Sequence, residues 1–145
     1  MPEILITNDD GVMSPGLEAL IGPLAELGTV HVVAPHANRS AVARAITIHN
    51  PLHVRRVTLP GVEAFSCDGT PVDCVRLAAL GLTGVEPDVV VSGINHGVNM
   101  GDDVTYSGTV GAALEGMMCG WLAVAASCQA RGNHVLCHIA RHVSC

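Results

Sequence analysis

The stretch Ile4-Leu5-Ile6-Thr7-Asn8-Asp9-Asp10-Gly11 limits what this chain can fold into more than any other. A short apolar run without alternation reads as a strand buried on both faces, as in a parallel sheet. It stops in an amide, two adjacent carboxylates and a glycine. The polar cluster therefore falls at the strand's carboxyl end, where open α/β sheets bind their ligands. Neighbouring carboxylates repel each other and resist desolvation. A cation between them relieves both problems, and aspartate oxygens with amide and hydroxyl groups suit Mg²⁺ or Mn²⁺, not zinc. An Asx-type turn with solvated aspartates fits this stretch equally well.

The rest of the chain repeats the strand–helix alternation. Ser14 caps a helix with Pro15 at its first position, and Leu17, Leu20, Ile21, Leu24 and Leu27 recur at helical spacing up to Gly28. Pro23 is expected to kink or shorten that helix. Val30 to Pro35 is a second strand, and His36 to Ala45 a loop centred on Asn38-Arg39-Ser40. Ile46 to Val57 reads as an extended excursion, and Glu63 to Cys67 as a third short strand. Thr70-Pro71-Val72-Asp73 has the form of a capping box opening a helix that runs to Gly81. Pro87 to Ser92 is a fourth strand, and Gly93 to Asp103 a loop rich in glycine and amides. A small-residue helix follows Ser107, ends at Gly120 and leads to a fifth strand, Trp121 to Ala126. The expected fold is a single α/β domain over residues 1–145, a three-layer, doubly wound, mostly parallel sheet.

Composition narrows the function. The 145 residues are 49% hydrophobic but only 2% aromatic and 14% charged, with net charge −6 and no lysine. Such a chain forms a packed core but offers neither a phosphate-tracking basic surface nor a stacking platform, which excludes a nucleic-acid binder. A small phosphorylated ligand held by metal and backbone amides remains compatible. Neither a signal-peptide pattern nor an apolar run long enough to span a membrane occurs, so a cytoplasmic location with six reduced cysteines is expected. There is no Walker-type glycine-lysine motif and no GxGxxG.

Three loops after strands carry polar clusters: Asn8-Asp9-Asp10, Asn38-Arg39-Ser40 and Asn95 through Thr109. A doubly wound sheet brings them to one rim. Ser107-Gly108-Thr109 at a helix start reads either as an anion cradle or as a plain N-cap, and caps are the commoner case. Arg39 either contacts phosphate or pairs with a carboxylate to hold its loop. His96 is either an acid or a solvated loop histidine. Asp102 and Asp103 read as loop-ordering groups, and Tyr106 as a residue of the pocket rim.

These motifs together resemble the survival protein SurE family. The resemblance rests on Ile4 to Gly11, Ala34 to Ser40, Gly69 to Val75, Val91 to Asn95 and Gly101 to Val110, and runs from about Ile4 to Ala126. It implies a Rossmann-like fold and a metal-dependent phosphatase of nucleoside monophosphates, a 5′/3′-nucleotidase. It implies one divalent ion per subunit, Mn²⁺ or Mg²⁺, held by Asp9, Asp10, Ser40 and Asn95. Asp9 and Asp10 would be catalytic with Asn8 beside them, the nucleophile being a water or an aspartate. Asn38, Asn99, Ser107, Gly108 and Thr109 would face substrate and phosphate. A homodimer or tetramer is also implied.

The chain departs from the family's pattern in three places. Ala41 stands where the family usually has glycine, and Gly22-Pro23 interrupts a helix that is normally continuous. Family members are longer, so the C-terminal part of the fold is expected to be missing; a shortened chain that binds metal or nucleotide without efficient turnover is the competing reading. The stretch after Ala126 diverges from the motifs. Its His134, His138, His142 and Cys145 fit either a zinc site or an amphipathic helix with its histidines in solvent, and the helix is the expected reading.

Overall fold

The computed structural model describes residues 1–129, 138 and 140–142. The expected three-layer α/β architecture is present. Its elements are β1 (Glu3–Thr7), α1 (Pro15–Ala25), β2 (Thr29–Pro35), β3 (Val54–Leu59), β4 (Val62–Cys67), α2 (Pro71–Ala79), β5 (Val89–His96), α3 (Asp103–Tyr106), α4 (Gly108–Met118) and β6 (Leu122–Cys128). The sheet order is β3-β4-β2-β1-β5-β6, parallel except for the β3–β4 pair.

β1 lies inside the sheet, and its alternating side chains feed two cores. Ile4 and Ile6 pack with Leu17, Leu20, Ile21 and Leu24 of α1 on one face. Leu5 packs with Val75 and Ala78 of α2 and Ala112 of α4 on the other. Leu5 is fully buried, worth roughly 1.5–3 kcal/mol relative to an exposed side chain. Both faces of β1 being covered explains why its sequence shows no polar alternation.

Several expectations need correction. The excursion after Ile46 contains a sixth strand, β3, which pairs antiparallel with β4 from Val54↔Cys67 to Leu59↔Val62. Its outward residues Arg55, Arg56 and Thr58 are exposed, so an edge position hid it from a search for buried runs. α1 continues through Pro23 and ends at Ala25, leaving Leu27 exposed. Pro23 falls in the last turn, where its missing N–H removes one helical bond while Leu20, Ile21 and Leu24 keep the helix on the core. β5 does not stop at Ser92 but runs to His96, with a register shift between Ser92 and Asn95 before it pairs Asn95↔Ser127 on β6. Asn95 is thus a sheet residue and not a loop residue.

The helix starts follow the expected chemistry. Ser14 Oγ accepts from Leu17 N, and Thr70 with Asp73 forms a reciprocal capping box. Cys67, Cys74 and Cys119 carry free thiols. Of the proposed zinc cluster, His134 and Cys145 lie outside the described residues. His138 and His142 are exposed, their ring centroids 4.5 Å apart. Among the described residues no helix is long and apolar enough to cross a membrane.

Candidate active site at the carboxyl ends of the central strands

The carboxyl end of β1 opens into a loop that orders itself. Asn8 is fully buried. Its Nδ2 donates to Gly11 O at 2.8 Å and to Ser14 Oγ at 2.6 Å, while its Oδ1 accepts from Gly11 N at 3.2 Å. This is an Asx-type turn, but the residue that makes it is Asn8, and the aspartates are left for other work.

The two aspartates point to different cavities. Asp9 is 3% exposed and lines a cavity of about 270 Å³ with Ser40, Asn95, Asn99, Tyr106 and Ser107. Asp10 lines a neighbouring cavity of about 580 Å³ with Gly11, Met13, His36 and Asn38. His96 lines both. The backbone N–H of His96 donates to Asp10 Oδ2 at 2.9 Å, and Asn38 Nδ2 makes a weaker contact with Asp10 Oδ1 at 3.5 Å. The three polar loops therefore meet at one rim, with Asp9 facing one cavity, Asp10 the other, and His96 common to both.

Asp9 is electrostatically frustrated. Its Oδ1 is buried and has no hydrogen-bond partner. Burial first, and repulsion from Asp10 second, push its carboxyl above the ordinary value, while Thr109 opposite partly offsets the shift. The hydroxyl of Thr109 is itself buried without a hydrogen bond of good geometry. An orphaned carboxylate oxygen at a cavity wall is what a cation would satisfy.

The surrounding groups are arranged as oxygen donors. Ser40 donates both its N–H, at 2.8 Å, and its hydroxyl, at 2.6 Å, to Asn38 Oδ1, which leaves the Ser40 oxygen lone pairs available. Asn95 Nδ2 donates to Gly97 O at 3.0 Å, so the amide's oxygen is its remaining end. Among the described residues no group of three histidine, cysteine or acidic side chains gathers at one point. Two carboxylates with neutral oxygens fit a hard divalent ion and not zinc.

The other expected residues take these places. Asn99 Nδ2 donates to Ser127 Oγ at 2.5 Å, which holds its loop against β6. Ser107 Oγ accepts from Val110 N at 3.2 Å, so Ser107 acts as the N-cap of α4 while also lining the cavity. Gly108 comes against Asp9: a Cβ there would stand 3.1 Å from Asp9 Cβ and 3.2 Å from Pro71 Cγ. This close approach puts the positive end of the α4 dipole beside the carboxylate. Arg39 Nη2 donates to the carbonyl of Asp68 at 2.7 Å, so it holds its loop through a carbonyl and not through the expected carboxylate. Asp102 makes no side-chain capping bond to α3, and Tyr106 is exposed on the cavity rim.

Sequence reasoning missed two features. Ala41 and Ala43 have φ of 61° and 51°, the left-handed region that side chains disfavour. The replacement of a usual glycine by Ala41 was the available signal. The second is Glu115, 8% exposed on α4, whose carboxylate binds Arg44 and Arg76. Nothing in the helical pattern announced a buried acid there.

Comparison with known proteins agrees with the fold. The family model described as survival protein SurE matches residues 4–144, taking in the stretch after Ala126. A protein named 5′-nucleotidase SurE from Citrifermentans bemidjiense is 52% identical over 134 residues, 91% of this chain and 53% of that one. A namesake from Rubrobacter xylanophilus is 55% identical over 127 residues, 86% of this chain and 48% of that one. The crystal structure of SurE protein from Aquifex aeolicus superposes with a TM-score of 0.86 at 43% identity, covering 99% of this chain and 57% of that one. The chain spans about half the length of the relatives it matches. It belongs to the survival protein SurE family.

Proposed function

We propose that this chain carries the catalytic rim of a metal-dependent phosphomonoesterase that hydrolyses nucleoside monophosphates, a 5′/3′-nucleotidase. The observation that carries the reading is the buried, unpartnered Oδ1 of Asp9 on a cavity wall shared with Ser40 and Asn95. The 5′-nucleotidase name of the relatives supports the substrate class.

Asp9, Asp10, Ser40 and Asn95 would hold one Mn²⁺ or Mg²⁺. When bound, the ion supplies a Lewis acid for a phosphoryl oxygen and lowers the pKa of a coordinated water. The protein's own groups do the rest. Asn8 holds the loop that presents both aspartates and is a positioning residue, since both ends of its amide are used within the loop. The first turn of α4, from Ser107 through Gly108 and Thr109, turns backbone dipoles toward the phosphoryl group and stabilises charge on its oxygens. Asn38 orients Asp10 and Ser40 together. Asn99 and Ser107 border the smaller cavity, and the larger one beyond Asp10 has room for the nucleoside. Assembly as a homodimer or tetramer and a cytoplasmic location belong to the same proposal.

A second reading is metal or nucleotide binding without efficient turnover. It draws on exposed apolar side chains, Leu122 on β6, 73% exposed, and Met118 on α4, 71% exposed. One experiment separates the two. Phosphate release from a nucleoside 5′-monophosphate is measured with and without Mn²⁺, for the native chain and for Asp9→Asn and Asp10→Asn. Metal-dependent release that vanishes in both variants is expected; full activity in either variant refutes the assignment. Binding without release would favour the second reading.

A further inference from the structure

The segment that brings Ser40 to the rim is held in a strained shape by contacts with α2, α3 and α4. It carries two left-handed alanines, Ala41 and Ala43, and such residues persist where their surroundings over-determine them. The surroundings here are three helices. Ala43 N donates to Tyr106 O at 3.2 Å, and Ala43 O packs on Gly111 of α4 so closely that a Cβ on Gly111 would come within 2.6 Å of it. Beside that contact, Arg44 Nη2 binds Glu115 Oε2 at 2.8 Å. On the α2 side, Thr70 Oγ1 donates to Ala45 O at 2.6 Å, and Thr47 donates twice to Asp73, at 3.0 and 2.6 Å. At the segment's other end, Arg39 N donates to Asp9 O at 2.6 Å.

Glu115 is the buried anchor of this arrangement. Its second oxygen, Oε1, binds Arg76 of α2 at 3.3 Å, so the carboxylate has one arm to the segment and one to a helix. The Arg44 arm is the shorter, and of the two it is the one that reaches the segment directly. We infer that Glu115, acting through Arg44, is a positioning residue that sets the affinity of the metal site by fixing Ser40 beside Asp9. The inference rests on the metal-dependent reading above. A hydroxyl is a weak ligand, and its contribution depends on being held in place before the ion arrives.

The two arms make the test selective. Mn²⁺ binding is measured by calorimetry on the full chain, without substrate, for the native protein and for Arg44→Met, Arg76→Met, Glu115→Gln, Ser40→Ala and the Ser40→Ala/Arg44→Met pair. Arg44→Met and Glu115→Gln should weaken Mn²⁺ binding by about 10- to 100-fold, the range for supporting partners of metal ligands. Arg76→Met should leave it unchanged. Once Ser40 is gone, removing Arg44 should cost nothing further. Equal weakening by Arg44→Met and Arg76→Met would show a general brace between helices and overturn the inference, as would full additivity with Ser40→Ala. Should Glu115→Gln fail to fold, the half-exposed Arg44 still decides the matter. Native-like Mn²⁺ binding by Asp9→Asn would instead overturn the metal reading, and this inference with it.

Discussion

Asp9→Asn is expected to make the metal-free protein more stable and the metal-loaded protein less so. The substitution keeps the shape of the side chain and removes its charge. In the native chain that charge is buried, repelled by Asp10, and carries one oxygen with no hydrogen bond. An unsatisfied buried polar group costs about 1–3 kcal/mol, and an amide at the same place relieves only part of it, so a gain of about 1 kcal/mol is the expected size. For a chain of this length that raises the midpoint of thermal unfolding by about 4 °C.

The sign with pH follows from the direction of the shift. The folded-state pKa of Asp9 is raised above its unfolded value of 3.8, so the folded state binds more protons in the window between the two. Stability of the metal-free native protein therefore falls as pH rises from 3.8 through the folded-state pKa, and the variant lacks this component. Metal reverses the order: at a free Mn²⁺ concentration 100 times Kd, the native protein gains about 2.7 kcal/mol, which Asp9→Asn forgoes. The assay is thermal unfolding by circular dichroism, with chelator or Mn²⁺, across pH 4 to 8 (on the order of the range relevant to carboxylates) and with reductant present. A crossing of the two stability orders supports the reasoning. A variant that is less stable than the native chain without metal, or equally stabilised by Mn²⁺, refutes it.

Two further outcomes test the backbone around the site. Gly108→Ala places a methyl group 3.1 Å from Asp9 Cβ and should cost about 1–3 kcal/mol as an overpacked contact, with weakened Mn²⁺ binding; urea unfolding and calorimetry read the two effects. Ala41→Gly relieves a left-handed alanine with φ of 61° and should raise stability by about 1 kcal/mol with phosphatase activity retained, whereas Ala41→Val should lower both; unchanged stability in Ala41→Gly would show that the segment carries no strain there.

Much of the fold was legible in the chain itself because local chemistry and burial agree along it. Ile4 to Thr7 is apolar throughout, since both faces of β1 are covered, and the caps at Ser14, Thr70 and Ser107 satisfy the first amides of α1, α2 and α4 as their residue types require. β3 was hidden because an edge strand exposes Arg55 and Arg56 and shows no buried run. The length of β5 was hidden because Gly93 and Asn95 look like loop residues, although pairing with β6 keeps them in the sheet.

The same division runs through the site. The sequence by itself determined which groups are present: two adjacent carboxylates, hydroxyls and amides at the ends of strands, in an order that resembles one family. Only the tertiary structure decided their separate tasks. Asn8 took up the turn that the aspartates would otherwise have made, leaving Asp9 Oδ1 buried and unpaired and turning Asp10 to the neighbouring cavity. It also decided that α2 and α4 hold the Ser40 segment in a shape its alanines resist. The physical reason is that a residue's type fixes what it can bind, whereas desolvation and partner geometry depend on contacts between segments far apart in the chain, such as Arg44 with Glu115 or Asp10 with His96.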